Sequence, residues 1–286
     1  MRALLRGLVP YGLVVGAGPY YLLRPGIRIL MYHRVDRLAS YDQLTVSPDR
    51  FAEQMDYLAR HSRVISLGQA VAELSAGPPV RPGVVVTFDD GYRDNLLHAL
   101  PVLRHHQVPA TIFVTTRFCD QDLSHPRYGS ASPKLHLTWE EVRELANEPG
   151  ITIGSHTTTH PFLSRLDPAS AIREIAGSRN IIHTRVGKAV DFFCYPSGDF
   201  TAREMQLAAA AGYRAAVSVA PGVNRAGMQP YALRRTEVTD RDGSHQLALK
   251  LAGAYDPVHW WLHRRRERRF AEARAEESWT TERGAV

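Results

Sequence analysis

Short runs of apolar and β-branched residues recur along the chain and alternate with helix-like segments. This alternation is typical of the α/β class with a parallel sheet, in which a helix follows each strand. A distorted (β/α) barrel with about seven parallel strands fits the pattern better than an open sheet. The predicted strands are IRILMYH from Ile27, VVVTF from Val84, ATIFV from Ala110, ITIGS from Ile151, DFFCYP from Asp191, YRAAVSV from Tyr213 and YALRRTEV from Tyr231.

The starts of several intervening helices can be recognised from their capping residues. Thr138 with Glu141, and Thr201 with Glu204, have the three-residue spacing of a capping box, in which each side chain bonds to the other residue's backbone amide. Ser47 is a further N-cap candidate, because a proline and a helical pattern follow it. These signals place helices between the predicted strands.

The composition suits one large α/β domain with appendages. The chain has 286 residues, of which 44% are hydrophobic and 22% are charged. We predict an apolar, basic N-terminal segment over residues 1–26, a barrel over residues 27–255, and a basic, tryptophan-containing C-terminal helix and tail over residues 256–286. The two cysteines, Cys119 and Cys194, are too few for a disulfide framework.

Both ends of the chain are basic, and the net charge is +6. No acidic residue precedes Asp36, and the sequence HRRRERRFAEARAEE lies near the other end. This predicts association with an anionic surface such as membrane lipid, with solvated charged ends as the alternative. No segment resembles a nucleic-acid-binding module, so nucleic acid is not expected as a partner. The basic residues before Asp36 are Arg2, Arg6, Arg24, Arg28 and Arg34.

The stretch from Gly7 to Leu23 is uncharged and mostly apolar. It predicts a membrane-interface or anchor segment, although Pro10 and Pro19 disfavour a straight helix. A cleaved signal ending at Ala17 and a structured N-terminal arm are the alternatives. We therefore expect the protein at a membrane or in the cell envelope rather than in the cytoplasm.

Two adjacent carboxylates, Asp89 and Asp90, follow the predicted strand VVVTF, and Gly91 comes next. Neighbouring carboxylates repel each other and lose hydration at the end of a buried strand, so the pair indicates a chemical role. The alternative is a strand-to-helix turn capped by an aspartate. In a barrel, the carboxyl ends of the strands meet at one rim, which is where active sites form.

A second motif, GSHTTTH, places His156 and His160 four residues apart. On one turn of helix the two imidazoles would share a face and could hold one metal ion. Two histidines and one carboxylate make a three-ligand site that leaves a position open for water. We predict that Asp90 completes this site, and that Asp89 takes a proton from the water as general base.

The motifs TFDDG and SHTTTH together resemble the double signature of the polysaccharide deacetylases, the NodB-homology carbohydrate esterases. The resemblance covers roughly residues 27–255. It implies a distorted (β/α) barrel, a divalent metal that is usually zinc, and hydrolysis of an N- or O-acetyl group on a sugar. Carried over by motif position, it assigns Asp89 as the base and Asp90, His156 and His160 as metal ligands.

A third family motif, commonly Arg-x-Pro-Tyr-Gly, matches CYPSG here. Cys194 stands where the family has the arginine that orients the base. We expect Arg234 or Arg235, on the later strand YALRR, to replace it, with a surface salt bridge as the alternative for either one. Backbone amides after the proline are expected to help bind the tetrahedral oxyanion. The candidate substrate-binding or oxyanion residues are Tyr195, Pro196, Ser197, Gly198 and Arg234.

The general acid of the family is usually a histidine in a strand near the C-terminus. Here ILMYHRV near the N-terminus fits better, and it resembles the permuted branch that includes poly-N-acetylglucosamine deacetylases. This resemblance implies that His33 protonates the leaving amine, whereas a hydrogen-bonded core histidine is the alternative. The polar segment 118–137 follows a strand, and we expect either a loop over the groove or a surface excursion. No role is predicted for His105, His106, His125, His136 or His183.

The sequence thus predicts a metal-dependent hydrolase that removes an N-acetyl, rather than an O-acetyl, group from a glycan or a lipid-linked sugar. A catalytically inactive carbohydrate-binding protein on the same fold is one alternative, since the arginine of the third motif is missing. A hydrolase of a small non-sugar amide is the other.

Overall fold

The computed structural model describes residues 26–37, 40–78, 81–128, 135–265 and 268. The predicted N-terminal anchor segment and most of the predicted C-terminal tail lie outside these residues. The strands of the described chain are β1 (Ile27–Tyr32), β2 (Arg34–Val35), β3 (Thr45–Val46), β4 (Gly83–Phe88), β5 (Ala110–Val114), β6 (Ile151–Ser155), β7 (Phe192–Cys194), β8 (Ala215–Val217) and β9 (Arg235–Glu237).

Seven of these strands form one parallel sheet in the order β8-β7-β6-β5-β4-β1-β9. The two outer strands approach each other, because the Ser218 amide donates to the Leu233 carbonyl at 2.8 Å and the Leu233 amide donates to Ala216 at 2.9 Å. The sheet is therefore a nearly closed barrel, and the predicted distorted (β/α) barrel of seven parallel strands is confirmed. The short β2 and β3 pair separately.

Helices connect the strands as predicted. The described helices are α1 (Pro48–His61), α2 (Leu67–Ala76), α3 (Leu100–His106), α4 (Thr116–Cys119), α5 (Trp139–Asn147), α6 (Pro168–Ile172), α7 (Ser178–Val186), α8 (Ala202–Ala210), α9 (Ser244–Leu251) and a helix over residues 256–265. The capping boxes predicted at Thr138 and Thr201 are both present. Ser47 precedes α1, but its hydroxyl donates to Asp240 at 2.6 Å instead of capping the helix.

Alternation along the strands divides the core into two clusters. On β1, Leu30 and Tyr32 join the larger cluster with residues of the surrounding helices, whereas Ile27 and Ile29 join a smaller cluster made mainly of strand residues. The residues of β1 are buried throughout, and each fully buried aliphatic side chain contributes about 1.5–3 kcal/mol. Helix α2 belongs to the smaller cluster, and a Cβ added at Gly68 would lie 3.7 Å from the Phe192 ring. Helix α2 therefore covers the amino-terminal end of the barrel and leaves the opposite rim for polar groups.

Two of the arginines in the predicted basic N-terminus are internal. Arg28 is 3% exposed and bonds to both carboxylate oxygens of Asp256 at 2.9 and 3.0 Å. Arg34 donates from Nε to Asp94 at 2.9 Å and from Nη2 to Asp36 at 2.7 Å. The prediction of a basic surface is therefore wrong for these two side chains, because carboxylates within the fold neutralise them. Within the residues described, we find no helix with both the length and the apolar character needed to cross a membrane.

Candidate active site

The polar motifs recognised in the sequence meet at the carboxyl-terminal rim of the barrel. His33 follows β1, Asp89 and Asp90 follow β4, and His156 follows β6. Because neighbouring parallel strands end at the same edge, residues far apart in sequence become neighbours here. Asp89, Asp90 and His156 are each 3% exposed or less. The rim therefore concentrates charge in a buried setting.

Asp90 stands at the centre of the cluster. Its Oδ1 lies 3.4 Å from His156 Nε2 and 3.4 Å from His160 Nε2. The backbone turns sharply, since Asp90 has a φ of +70° and Gly91 a φ of +60°. A Cβ added at Gly91 would lie 3.0 Å from Cγ1 of Val114, so the glycine lets this turn pack against β5.

The two histidines are not on a helix, so the helical interpretation of GSHTTTH is wrong. The segment is a loop, in which Thr157 has a φ of +71° and His160 a φ of +62°. The His160 amide donates to Oγ1 of Thr157 at 3.0 Å, which curls the chain and turns both imidazoles toward Asp90. The spacing of four residues brings the rings together as predicted, but through a threonine-stabilised turn.

Glu174 holds this turn in place from outside, and no motif in the sequence singled it out. Its carboxylate accepts hydrogen bonds from the amides of Thr158 and Thr159 at 2.8 and 2.9 Å, and from the Thr159 hydroxyl at 2.8 Å. Unpaired loop amides need an acceptor when partly buried. The sequence could have indicated that these loop amides need an acceptor, but it does not identify which carboxylate supplies it.

Electrostatics keep Asp90 ionised and shift the pKa values of the two histidines in opposite directions. Burial alone would raise the pKa of Asp90, but the adjacent His156 and His160 rings outweigh it and hold the pKa well below its usual value. Burial lowers the pKa of His160 to about 4, so this ring is neutral near pH 7. Nδ1 of His156 lies 2.8 Å from the Cys194 carbonyl and donates to it, so Nε2 is the nitrogen that faces a cation. Burial alone would lower the pKa of His156, but Cys194 and Asp90 outweigh it and raise the pKa well above its usual value, so a cation must displace the Nε2 proton when it binds.

These groups fit a divalent cation. Asp90 Oδ1 is buried yet makes no hydrogen bond among the described residues. A buried carboxylate oxygen facing two imidazole nitrogens is a donor set that zinc and related ions prefer. A second cluster of Asp89, His156 and Cys194 is also compact. It fits a cation poorly, because a guanidinium already occupies both oxygens of Asp89.

That guanidinium belongs to Arg235. Nη1 and Nη2 donate to the two oxygens of Asp89 at 2.7 Å each, and Nη2 also lies 3.1 Å from Sγ of Cys194. Burial alone would raise the pKa of Asp89, but Arg235 outweighs it, so the pKa is lowered. The small Cys194 side chain, in the position where the family motif has arginine, contacts the group that replaces that arginine.

Of the two arginines that the sequence offered to replace the family arginine, Arg235 contacts Asp89 and Arg234 does not. Neighbouring residues on a strand point to opposite faces, and Arg235 is the one that points inward. The guanidinium of Arg234 instead lies 5.0 Å from the centre of the Trp260 ring. The geometry at the rim therefore does not support the predicted contact of Arg234 with substrate.

His33 lies beside the base candidate, as the sequence predicted. Its Nε2 is 3.9 Å from Oδ2 of Asp89, and its side chain is 15% exposed. Asn95 donates to the His33 carbonyl at 2.9 Å and holds this end of β1 in place. His33 is thus at the rim and partly open to solvent, as a proton donor to a substrate must be.

The YPSG segment forms a tight turn after β7, in which Ser197 and Gly198 have φ values of +55° and +69°. The Tyr195 side chain is buried, and its hydroxyl donates to the Tyr231 carbonyl at 3.0 Å. The amides of Tyr195 and Gly198 donate to carbonyls within the fold, and Pro196 has no amide proton. In this conformation these three residues offer no backbone donor to an oxyanion, and the predicted role of Ser197 stays a prediction.

The sequence reasoning missed two further histidines near Asp90. His125 Nε2 lies 3.9 Å from Oδ2 of Asp90, and Nδ1 of His136 lies 3.1 Å from the Asp90 carbonyl. Both belong to the segment between β5 and β6, for which the sequence predicted either a loop over the groove or a surface excursion. The order of the strands could have indicated these two histidines, because β5 lies between the strands that carry Asp90 and His156.

A parallel barrel that gathers carboxylates, imidazoles and a buried arginine at its carboxyl rim has the architecture of a barrel enzyme. Residues 76–216 match the family described as Polysaccharide deacetylase. YxkH of Bacillus subtilis (strain 168), whose name places it among the polysaccharide deacetylases, is 31% identical over 214 residues, which span 74% of this chain and 71% of that protein. The chain belongs to the polysaccharide deacetylase family, which confirms the resemblance found in its motifs.

Further relatives agree with this membership. The poly-beta-1,6-N-acetyl-D-glucosamine N-deacetylase of Escherichia coli (strain K12) is 27% identical over 138 residues, which cover 46% of this chain and 20% of that protein. The structure of IcaB from Ammonifex degensii has a TM-score of 0.69 and 25% identity, and the match covers 80% of this chain and 97% of that chain. The likeness to IcaB thus extends over nearly its whole length.

Proposed function

We propose that this protein is a metal-dependent deacetylase that hydrolyses an N-acetyl group of a glycan or a lipid-linked sugar. The observation that carries the proposal is the approach of two imidazole nitrogens to within 3.4 Å of one buried Asp90 oxygen, beside the Asp89–Arg235 pair. Membership of the polysaccharide deacetylase family supports it. The name of the Escherichia coli relative, an N-deacetylase, favours N-acetyl over O-acetyl substrates.

Asp90, His156 and His160 would hold the cation, with Zn²⁺ as the first ion to test. When bound, such an ion acts as a Lewis acid and makes water a better nucleophile near neutral pH. The remaining chemistry belongs to the side chains around it. The donor set, one carboxylate and two imidazoles, also suits Co²⁺ and other divalent ions.

Asp89 is proposed as the general base. Its lowered pKa keeps it ionised near pH 7, and Arg235 fixes both oxygens in one orientation. Asp89 would take a proton from the attacking water, and His33 would give a proton to the nitrogen that leaves as the C–N bond breaks. The 3.9 Å separation of His33 Nε2 and Asp89 Oδ2 is short enough for both groups to reach one substrate, which supports these two roles.

Acetate release tests this function. Zinc-loaded protein is incubated with a panel of acetylated glycans that includes N-acetylglucosamine oligomers, and Asp89→Asn is the matched variant. General-base catalysis predicts that the substitution lowers kcat by about 10²–10⁴-fold while metal content is retained. Full activity in the variant would exclude Asp89 as the base. Release of acetate from small amides but from no glycan would favour the non-sugar alternative, and binding without release would favour the inactive binding protein.

We further propose that the protein works at an anionic membrane surface. The helix over residues 256–265 leaves Val258, Trp261 and Leu262 exposed at 44%, 56% and 51%, and Arg264 and Arg265 follow on the same helix. Exposed apolar and aromatic residues beside arginines are typical of helices that lie on anionic lipid. Vesicle flotation should show binding to phosphatidylglycerol vesicles that weakens with salt and with Trp261→Ala, but not with the exposed control Tyr41→Ala. Equal recovery with phosphatidylcholine vesicles, or none with either, would contradict the proposal.

A further inference from the structure

His125 enters the site from the segment between α4 and α5. Its side chain is 16% exposed, its Nε2 lies 3.9 Å from Oδ2 of Asp90, and its ring centre is 5.2 Å from that of His160. One ligand atom from each of these three residues lies within 4.8 Å of the other two. Distance alone would make His125 an additional metal ligand.

The hydrogen bonding of the ring contradicts a ligand role. The backbone amide of Arg127 donates to Nδ1 of His125 at 3.2 Å. A ring nitrogen that accepts a hydrogen bond carries no proton, so the proton of this imidazole resides on Nε2. Nε2 is the atom that faces the site, and it therefore presents an N–H group where a metal would require a lone pair.

His156 has the opposite arrangement, which makes the contrast informative. Its Nδ1 lies 2.8 Å from the Cys194 carbonyl, which can only accept, so Nδ1 carries a proton and Nε2 is the nitrogen that a cation can bind once its own proton is displaced. In that state the two rings face the same carboxylate with opposite polarity. His156 is arranged as a ligand, and His125 is arranged as a hydrogen-bond donor.

The segment that carries His125 is fixed at both sides. The His125 amide donates to Nε2 of His136 at 3.1 Å, and Nδ1 of His136 donates to the Asp90 carbonyl at 3.1 Å. One imidazole therefore ties the backbone of the segment to the backbone of the site. Farther along, Arg127 pairs with Asp42 at 2.6 Å. The donor is thus held in position before substrate arrives, which is the condition for effective electrostatic stabilisation.

We propose that His125 is a substrate-binding residue whose Nε2–H donates a hydrogen bond to the acyl oxygen of the acetyl group. This inference rests on the proposed deacetylase function and adds a donor that the motifs of the sequence do not contain. The acyl oxygen gains negative charge as the tetrahedral intermediate forms, so a preorganised donor stabilises the transition state more than the ground state.

The test combines three measurements on the full chain: zinc affinity by chelator competition, kcat and KM on N-acetylglucosamine oligomers, and ring ¹⁵N shifts of His125. We compare wild type with His125→Ala, His125→Gln and the exposed control His105→Ala. We expect His125→Ala to bind zinc as tightly as wild type and to lose about 10²–10³ in kcat, as observed for single oxyanion donors. His125→Gln should recover part of the loss, because its amide can donate, and the Nδ1 shift should report an unprotonated nitrogen.

The failures can be told apart. A wild type that binds no divalent ion or releases no acetate would overturn the proposed function together with this role. An active wild type with an equally active His125→Ala would overturn only the inference. A tenfold or greater loss of zinc affinity in His125→Ala, or a protonated Nδ1, would show a ligand in place of a donor.

Discussion

Two buried arginine–carboxylate pairs lie at opposite ends of the barrel and differ in what surrounds them. At the carboxyl rim, Arg235 and Asp89 are 0% and 4% exposed and bond through two 2.7 Å contacts. At the other end, Arg28 and Asp256 are 3% and 18% exposed and bond through contacts of 2.9 and 3.0 Å. The geometry of the pairs is alike, so burial of an ion pair does not by itself indicate chemistry.

The two pairs differ in the residues that surround them. Asp89 has His33 at 3.9 Å and continues directly into Asp90 and its imidazoles. Arg28 bonds instead to Thr236 and to the Leu251 carbonyl, and Asp256 opens the helix over residues 256–265. The first pair orients a carboxylate toward a reactive cluster. The second pair attaches the last described helix to β1.

The largest difference is expected from removing the rim arginine. Arg235→Met leaves the buried Asp89 charge without a partner, which should lower the free energy of unfolding by about 3–5 kcal/mol. Urea denaturation of metal-free protein measures this loss. The double variant Arg235→Met, Asp89→Asn is the control, and it should regain stability because no buried charge remains. An unchanged unfolding midpoint in the single variant would show that water reaches Asp89 freely.

The next largest effect should appear on acidification of the metal-free protein. Burial lowers the pKa values of His136 and His160 to about 4, below the ordinary value of 6.5. Since the unfolded chain binds these protons first, the stability that a neutral ring contributes is fully present above pH 6.5 and is lost as the pH drops toward 4, by up to about 3 kcal/mol for His160. His160→Gln should flatten this profile in urea titrations at stepped pH, whereas His105→Ala should not. A slope unaffected by His160→Gln would place the acid-sensitive groups elsewhere.

A smaller effect is expected at the amino-terminal pair. Arg28→Met leaves Asp256, which is more exposed than Asp89 and can recruit water, so we expect a loss of about 1–3 kcal/mol. Thermal unfolding measures stability, and acetate release measures function. Activity below the unfolding temperature should equal that of wild type. A loss of kcat without a loss of stability would break the distinction between a structural and a catalytic pair.

The smallest effect concerns the backbone that supports the rim. Gly91→Ala must adopt a φ of +60° and meet Val114 at 3.0 Å, which should cost about 1–2 kcal/mol. The matched control is Gly177→Ala, because Gly177 has a helical φ of −60° and no atom lies within 4 Å of its added Cβ. That control should gain up to about 1 kcal/mol in chemical denaturation. Equal effects at both positions would exclude strain at the Asp-Asp-Gly turn.

The strands and the convergence of Asp89, Asp90 and His156 at one rim could be predicted, because apolar runs mark the strands and parallel strands end together. The conformation around His160 could not, since a turn held by Thr157 and a helix share the same spacing. The sequence could not decide whether Arg234 or Arg235 would contact Asp89, because the exact start of β9 was not known. The predicted strand began at Tyr231, but pairing begins at Arg235.

Partners distant in sequence were the other limit. The basic residues near the N-terminus predicted an outward surface, yet Arg28 pairs with a carboxylate 228 positions away. No motif surrounds His125 in the sequence, and only the order of the strands brings it close to Asp90. Side chains on loops, and charges whose partners lie on another element, are not specified by local patterns.

The base candidate and the arginine that bonds to it are separated widely in the chain, although β1 alone separates their strands in the sheet. β1 lies between β4 and β9, and Arg235 is 146 positions beyond Asp89. A nascent chain that has emerged from the ribosome only as far as β8 therefore holds its proposed base without the guanidinium that orients it. Asp89 therefore acquires its arginine partner only when translation has passed β9.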